Sequence, residues 1–338
     1  MTKIIFFADT HLGFDFPLRP KKEKRRRGMD FFNNFDEILA YAKSSNADML
    51  IHGGHLFYRT RVPAQIIDMV YERIFDFAES GIPIVIVPGN HESYRLPVSL
   101  FMQHPNIYYY TKPQVFNFSF HGTDFDIAGF PCVRKGVKTK FSDITREIQP
   151  HLKGESVKLL CMHQAIEGAK VGPSDFTFRK GQDVIPINDL PDEYDLILSG
   201  HIHRQQILYT KTNQPVIYLG SIERTAFAEM HEEKGFYEIN ISAKRKINHN
   251  FIPLKTRPMV DVMLEKENYT AGSLKADLQE KIKRLPVDAI LRIKMKSNSQ
   301  IRLLTAGILD KVIPATMNYQ ISGYENFKSN LASEDSKP

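Results

Sequence analysis

The first third of the chain alternates short apolar bursts with longer stretches of helical period, and that rhythm limits the folds open to it. Lys3 to Ala8 is apolar after its lysine and reads as a buried strand. Asp30 to Ser44 puts Phe31, Phe32, Phe35, Ile38, Leu39 and Ala42 on one face at helical spacing. Asp48 to Ile51 reads as a second strand. Pro63 to Ser80 reads as a second helix: proline suits a first turn, where its missing N–H would have no partner anyway, and Gly81 ends it. Ile82 to Val87 is a third strand. A β-α-β-α-β order packs helices on a sheet with parallel strands, which is the α/β class. Further strands are expected at Phe125 to Ala128, Lys158 to Met162, Leu196 to Leu198, Pro215 to Leu219 and Phe236 to Ile241.

The pattern changes near Pro253. Val260 to Leu264 (strand), Leu274 to Leu285 (helix), Ala289 to Met295 (strand), Ile301 to Val312 (helix) and a short strand near Met317 form an α+β unit of their own. The expected organisation is a first domain over residues 1–254, a small domain over 255–327 and a polar, disordered tail over 328–338. No internal repeat stands out. With 338 residues, 42% of them hydrophobic, the chain can bury a sizeable core. Its net charge of +6 gives modest support to a polyanionic partner. The two cysteines, Cys132 and Cys161, fit no paired metal or redox spacing, exclude a disulfide framework and read as small core residues. The apolar run Ile4 to Ala8 is too short for a signal peptide, and no stretch reaches membrane-spanning length. A soluble, cytoplasmic (intracellular) protein without membrane contact is expected.

Five polar motifs follow apolar strands directly: Asp9-Thr10-His11, Gly53-Gly54-His55-Leu56-Phe57, Gly89-Asn90-His91-Glu92, His163, and Gly200-His201-Ile202-His203. In open α/β sheets ligands bind beyond the carboxyl ends of strands, so these motifs are expected to converge on one cleft. They hold six of the 12 histidines. Imidazole nitrogen mixed with Asp and Asn oxygen suits manganese, iron or zinc better than calcium or magnesium. Any one of these histidines, taken alone, reads as a satisfied interior or surface residue. The set in this order reads as a metal site. His52 lies on the opposite face of its strand from its neighbours and reads as structural.

In this order the motifs resemble the calcineurin-like metallophosphoesterase superfamily. Gly53-Gly54-x-Leu56-Phe57, Gly220-Ser221-Ile222-Glu223-Arg224, Lys234-Gly235-Phe236-Tyr237 and Arg257-Pro258 narrow the likeness to SbcD-type DNA double-strand-break repair nucleases, the meiotic-recombination-type nuclease subunits. The likeness covers roughly residues 1–325. It implies a layered fold of β-sheets flanked by helices, with a small α+β C-terminal capping domain. It also implies two manganese ions. Asp9, His11 and His203 would hold one, and Asn90, His163 and His201 the other. His91 would stay off the metals, beside the scissile phosphate, and stabilise or protonate the developing oxyanion. The implied reaction is phosphodiester hydrolysis, as exonuclease and endonuclease, in DNA repair. The implied partners are DNA, a second copy of the chain bound through helices near the N-terminus, and an SMC-like ATPase of the SbcC type. In the family a segment after the capping domain binds that ATPase. This chain ends at Pro338 in a short polar stretch, where the segment is expected to be absent or truncated.

One position departs from the family. Where the resemblance calls for an aspartate bridging both metals, this chain has His55. A neutral imidazole offers one lone pair while its other nitrogen carries a proton. It can ligate one metal but cannot bridge two, and it removes a negative charge from between two dications. His55 is therefore kept in the expected ligand set as a one-metal ligand. Three origins fit: a substitution made to disable the site, a natural site working with one metal or an altered pair, and a natural loss of catalysis with binding kept.

The basic run Lys21, Lys22, Lys24, Arg25, Arg26, Arg27 follows the first motif and is a candidate for DNA phosphates, as are Arg59, Arg61 and Arg95. The plainer reading of such a run is a solvated loop. Tyr108-Tyr109-Tyr110 fits a half-buried strand better than a base-stacking platform. The basic face of Lys275 to Arg284 is open to either use, and its apolar stripe fits the small domain's own sheet. Two rivals to a nuclease remain: a phosphatase or phosphodiesterase for small substrates, and a non-catalytic DNA-end-binding scaffold subunit, which His55 favours.

Overall fold

Burial on both faces is what an unbroken apolar strand demands, and the first strand obtains it from a central place in a sheet. The computed structural model describes residues 1–17, 26–92, 103–296 and 298–323. Its strands run β1 (Thr2–Phe7), β2 (Met49–His52), β3 (Ile84–Ile86), β4 (Ile107–Tyr109), β5 (Gln114–Phe120), β6 (Thr123–Gly129) and β7 (Val157–His163). The short pairs β8 (Ala165–Ile166), β9 (Lys170–Val171), β10 (Phe176–Thr177) and β11 (Val184–Ile185) follow. Then come β12 (Leu196–Gly200), β13 (Gln206–Tyr209), β14 (Pro215–Tyr218), β15 (Gly235–Ile241) and β16 (Ile247–Pro253). One six-stranded sheet has the order β16-β15-β1-β2-β3-β4 and another the order β13-β14-β12-β7-β6-β5. β1, β2, β3 and β4 are parallel, as are β6, β7, β12 and β14. The layered α/β architecture expected from the sequence is the one observed.

The helix Gly28–Ser44 buries the predicted stripe Phe31, Phe32, Phe35, Ile38, Leu39 and Ala42, and Phe35 meets Phe7 of β1 at a ring distance of 5.9 Å. The helix Ala64–Ala78 starts after Pro63, which is extended at the N-cap. Its Arg73 forms an ion pair with Asp36 of the first helix at 2.6 Å. The second sheet carries the helix Val137–Ile148, whose Val137, Phe141 and Ile148 pack with Leu160, Met162, Ile197 and Val216. That helix, β5 and β16 had no clear signal in the sequence. The tyrosine run supplies β4: Tyr109 and Tyr110 are buried, and Tyr108 is half-buried against Phe116 and Phe118.

Two compact units divide these residues. The first comprises Met1–Phe14 and Gly28–Thr256; the second contains the residues from Arg257 on, with a stretch around Asp15 and Arg26. The second unit holds β17 (Met259–Leu264), β18 (Ile290–Met295) and β19 (Asn318–Gly323), parallel in that order. The helix Ala271–Lys283 starts at a capping box between Thr270 and Ser273 and buries Leu274, Leu278 and Ile282 against this unit's core. The helix expected over Ile301 to Val312 is interrupted. A 3-10 stretch, Asn298–Leu303, gives way to Thr305 in extended conformation, and the α-helix is confined to Ala306–Val312. Arg257 is held here by the carbonyls of Asp288 and Thr316 and by the Asn318 side chain. No helix among the described residues is long and apolar enough to cross a membrane. The stretch 328–338 lies outside the described residues.

Candidate metal centre

Each polar motif leaves the carboxyl end of a parallel strand: Asp9 and His11 after β1, His55 after β2, Asn90 and His91 after β3, His163 at the end of β7, His201 and His203 after β12. The first two loops run side by side. Asp9 N donates to Gly54 O (2.8 Å), His11 N to His55 O (3.2 Å) and Leu12 N to Leu56 O (2.9 Å). β7 and β12 are in register so that His163 is level with Gly200. The two sheets approach closely at this point. A Cβ on Gly200 would lie 2.3 Å from Gly53 O, and one on Gly54, whose φ is +98°, would lie 2.4 Å from His163 Nδ1. Asp9, His11, His55 and His201 have φ of 49°, 46°, 62° and 86°. That left-handed region costs an L-residue about 1–2 kcal/mol, and such strain concentrates where function fixes the backbone.

Asp9, His11, His55 and His203 each offer a ligand atom, all within 4.8 Å of one another. Asp9 is fully buried, and so is His163. Asp9 Oδ2 accepts from His201 N (2.9 Å), and Oδ1 lies 3.2 Å from His55 Nδ1 and 4.0 Å from His163 Nε2. Burial by itself raises the Asp9 carboxyl. The His55 hydrogen bond and the neighbouring histidines outweigh it and hold the group well below the usual carboxylate range. Burial lowers His11, His163 and His201, keeping them neutral with lone pairs to offer.

Three of the expected ligand atoms are buried with no hydrogen-bond partner: His11 Nδ1, Asn90 Oδ1 and His163 Nε2. Buried polar atoms are almost always paired, so three orphans together mark a site whose polar groups are not satisfied within the chain. His163 Nδ1 donates to Gly53 O (2.8 Å), leaving Nε2 as its free lone pair. His203 Nδ1 lies 3.0 Å from Glu229 Oε1, which leaves Nε2, 2.9 Å from His11 Nε2, facing the cluster. A carboxylate or carbonyl behind a histidine is the arrangement that fixes a metal-binding tautomer.

His55 does not have the chemistry of a bridging carboxylate. Its Nδ1 faces Asp9 Oδ1, and its Nε2 lies 3.1 Å from His91 Nδ1. His91 Nδ1 is also 2.8 Å from the Tyr58 carbonyl, which can only accept, so this nitrogen carries the proton. His55 can therefore give a cation one lone pair, from the Nδ1 that faces Asp9. The residues present fit one cation at Asp9, His11, His55 and His203. They do not fit the carboxylate-bridged pair that the resemblance implies. His163 and His201, with ring centroids 5.1 Å apart, lie outside the four-residue group.

The sequence does not show the roles of several residues that support the site. Glu229 receives His203 Nδ1, the Thr225 hydroxyl (2.7 Å) and the buried Lys234 ammonium (2.9 Å). Burial alone would raise its carboxyl, but the His203 hydrogen bond and Lys234 bring it down to about 2. Ser221 and Lys234, noted in the sequence only for a family likeness, turn out to surround it. Glu92 accepts from the backbone N–H of Gly89 (2.6 Å), His55 (3.2 Å) and Phe57 (2.9 Å), joining the second motif to the third. His52 is engaged at both nitrogens, with Gly54 N and the Thr10 hydroxyl.

Beside the cluster lies a cleft of ≈ 350 Å³ lined by Asn90, His91, Cys132, Arg134, Asp183 and His201. Arg134 donates to the Asn90 carbonyl. Cys132 is partly exposed there and Cys161 is buried; both are free thiols. Arg59 and Arg61 are exposed, Arg59 over the Tyr58 ring at 5.5 Å. Arg26 pairs with Asp15, which also accepts from Arg27 N, inside the second unit. Lys21, Lys22, Lys24, Arg25 and Arg95 lie outside the described residues.

The model of the calcineurin-like phosphoesterase family matches residues 2–205. The DNA double-strand break repair protein Mre11 of Archaeoglobus fulgidus is 25% identical over 326 residues, spanning 88% of this chain and 69% of that protein. Its namesake from Methanococcus maripaludis is 24% identical over 260 residues, spanning 73% of this chain and 65%, just under two thirds, of that protein. Among solved structures, a dimetal phosphatase from Danio rerio aligns over 70% of this chain and 92% of its own, with 12% identity and a TM-score of 0.43. The family match contains all five strand-end motifs from Asp9 to His203, and the chain belongs to the calcineurin-like phosphoesterase family.

Proposed function

We propose that this chain is a metal-dependent phosphodiester hydrolase acting on DNA, a nuclease of double-strand-break repair. The observation that carries the reading is the convergence of Asp9, His11, His55 and His203 within 4.8 Å, beside a cleft bearing His91 and Arg134. A divalent cation held by those four residues supplies Lewis acidity toward a phosphoryl oxygen. The chain's own residues do the rest. The Tyr58 carbonyl holds the proton on His91 Nδ1, so Nε2 is the nitrogen left for substrate. Burial, then the neighbouring His55, lowers His91, so near pH 7 that nitrogen has a lone pair with which to accept a proton from the attacking water. Arg134, anchored on the Asn90 carbonyl, brings positive charge to the cleft for a phosphate.

The preference for DNA over a small ester rests on two relatives named for double-strand break repair, one aligned over 88% of this chain and so into the second unit. In this reading two copies associate, and an SMC-like ATPase is the working partner. The test is cleavage of linear duplex DNA with manganese in excess, set against hydrolysis of bis(p-nitrophenyl) phosphate, with Asp9→Asn as the control. DNA cleavage lost in Asp9→Asn supports the reading. Hydrolysis of the small ester alone would make the chain a small-substrate phosphodiesterase. DNA binding without any hydrolysis would make it a scaffold subunit, the reading that His55 favours.

A further inference from the structure

We propose that this centre holds one divalent cation per chain, at Asp9, His11, His55 and His203, and that its imidazole-rich donor set shifts it toward a zinc-like ion and away from manganese. The inference rests on the metal-site part of the reading above and is independent of the DNA substrate.

The donors divide unequally. The four-residue group has one carboxylate and three imidazoles, converging within 4.8 Å. Two pairs in it, His11 Nε2 with His203 Nε2 at 2.9 Å and Asp9 Oδ1 with His55 Nδ1 at 3.2 Å, have close to the spacing of neighbouring ligands on one ion. Bonds of about 2.1 Å at right-angled to tetrahedral geometry give ~3.0–3.4 Å. The remaining candidates, Asn90, His163 and His201, are all neutral. A second dication there would need a negative charge shared with the first; Asp183, on the cleft wall, accepts from Gly136 N (2.6 Å), and the carboxylates of the cluster and its support are committed elsewhere. Asp9 spends Oδ2 on His201 N. Glu92 spends both oxygens on backbone N–H groups. Glu229 is taken by His203, Thr225 and Lys234. The orphaned Asn90 Oδ1 and His163 Nε2 are then polar atoms for water or substrate, not a second ion's full coordination set.

The same count sets the class of ion. Carboxylate, carbonyl and water oxygen suit manganese and magnesium, whereas imidazole suits zinc, iron and nickel. Replacing a bridging carboxylate by His55 moves the set from oxygen toward nitrogen. Zinc outcompetes manganese at most protein sites, so the informative quantity is how position 55 changes the ratio.

The test is equilibrium dialysis of chelator-stripped protein against Zn²⁺ or Mn²⁺, with ions per chain counted by elemental analysis. The unaltered chain should hold one ion. His11→Ala and, independently, His203→Asn should lower its affinity at least 100-fold, while His163→Ala should leave it within 3-fold. His55→Asp should raise the count to two and lower the zinc-to-manganese affinity ratio at least 10-fold. Two ions on the unaltered chain, or loss of the single ion in His163→Ala, would overturn the proposal and leave the hydrolase reading standing. An unchanged affinity ratio in His55→Asp would overturn the claim about ion class. No ion at all would overturn both the proposal and the metal-dependent function. The two histidine variants and His163→Ala decide the single-ion claim even if His55→Asp fails to fold.

Discussion

Replacing Glu229 by glutamine isolates the support behind the metal cluster from the cluster itself. The carboxylate sits between His203 Nδ1 (3.0 Å) and the buried Lys234 ammonium (2.9 Å), with the Thr225 hydroxyl at 2.7 Å. An amide of the same shape keeps one carbonyl for His203. It turns an NH₂ toward Lys234 and Thr225 N, which are themselves donors. Stripping one partner from a buried ion pair costs about 3–5 kcal/mol. The loss here should be smaller, about 1–3 kcal/mol, because Lys234 keeps Glu232 at 2.8 Å and the His203 carbonyl at 2.8 Å. His203 loses the carboxylate that fixes its tautomer, and outer-shell losses of this kind lower metal affinity about 10–100-fold. Thermal unfolding of stripped protein reads the first effect, and competition with a chromogenic chelator for Zn²⁺ reads the second. The pH dependence has a definite sign. The Glu229 carboxyl is depressed from 4.5 to about 2, so its stabilisation is fully present above pH 4.5 and is lost as pH falls toward 2. By linkage that displacement is worth about 3 kcal/mol, and the gap between the two proteins should close over that interval. A glutamine variant that melts early yet binds zinc within 2-fold of the parent would refute the claim that Glu229 acts through His203.

Two further outcomes follow from the same neighbourhood. His52 is fully buried and displaced by that burial from 6.5 to about 3, so stability present above pH 6.5 should be lost on acidification toward 3, on the order of 5 kcal/mol. In denaturant titrations of stripped protein between pH 4 and 6, His52→Gln should flatten the pH slope by up to about 1.4 kcal/mol per pH unit; an unaltered slope would mean another group carries it. Gly54→Ala should destabilise by more than about 3 kcal/mol, since it adds a Cβ 2.4 Å from His163 Nδ1 at a φ of +98°. Gly81→Ala shares the left-handed φ, +84°, but meets nothing within 4 Å and should cost only about 1–2 kcal/mol; equal losses in the two would dismiss crowding at His163.

The ligand candidates were legible because each stands at the end of an apolar strand, where period and position fix both the element and the end of the sheet it reaches. Sequence could go no further than residues whose role is local in the chain. Glu229 lies 26 residues beyond His203 and has no pattern of its own; only the fold brings it to that ring. Glu92 was visible as part of Gly89-Asn90-His91-Glu92, but its work is tertiary, holding the backbone of His55 and Phe57 from another loop. The helix expected from Ile301 on is interrupted: apolar spacing continues across Leu303, Leu304 and Ile308, but Thr305 is extended and caps a new helix. Periodicity does not register a single residue that leaves the helical region. β5 gives little signal for a related reason: its residues are only partly buried or exposed, so its alternation lacks a strong apolar face.

The way the second motif is held bears on what His55 means. Glu92 grips this loop through the main-chain N–H groups of His55 and Phe57, and the neighbouring first loop bonds to the carbonyls of Gly54, His55 and Leu56. None of these contacts uses the side chain at position 55. The loop's course is therefore set by backbone partners that any residue able to adopt a φ of 62° leaves intact, and Asp and Asn are among the side chains that best tolerate that region. It follows that position 55 can exchange imidazole for carboxylate while the loop keeps its course. The change alters donor type and charge at the centre, and the scaffold of Glu92, Glu229 and Lys234 stays as it is. Lys234, fully buried between Glu229 and Glu232, holds that scaffold together through ion pairs that do not involve position 55, so a change of side chain there is read at the centre and not in the fold.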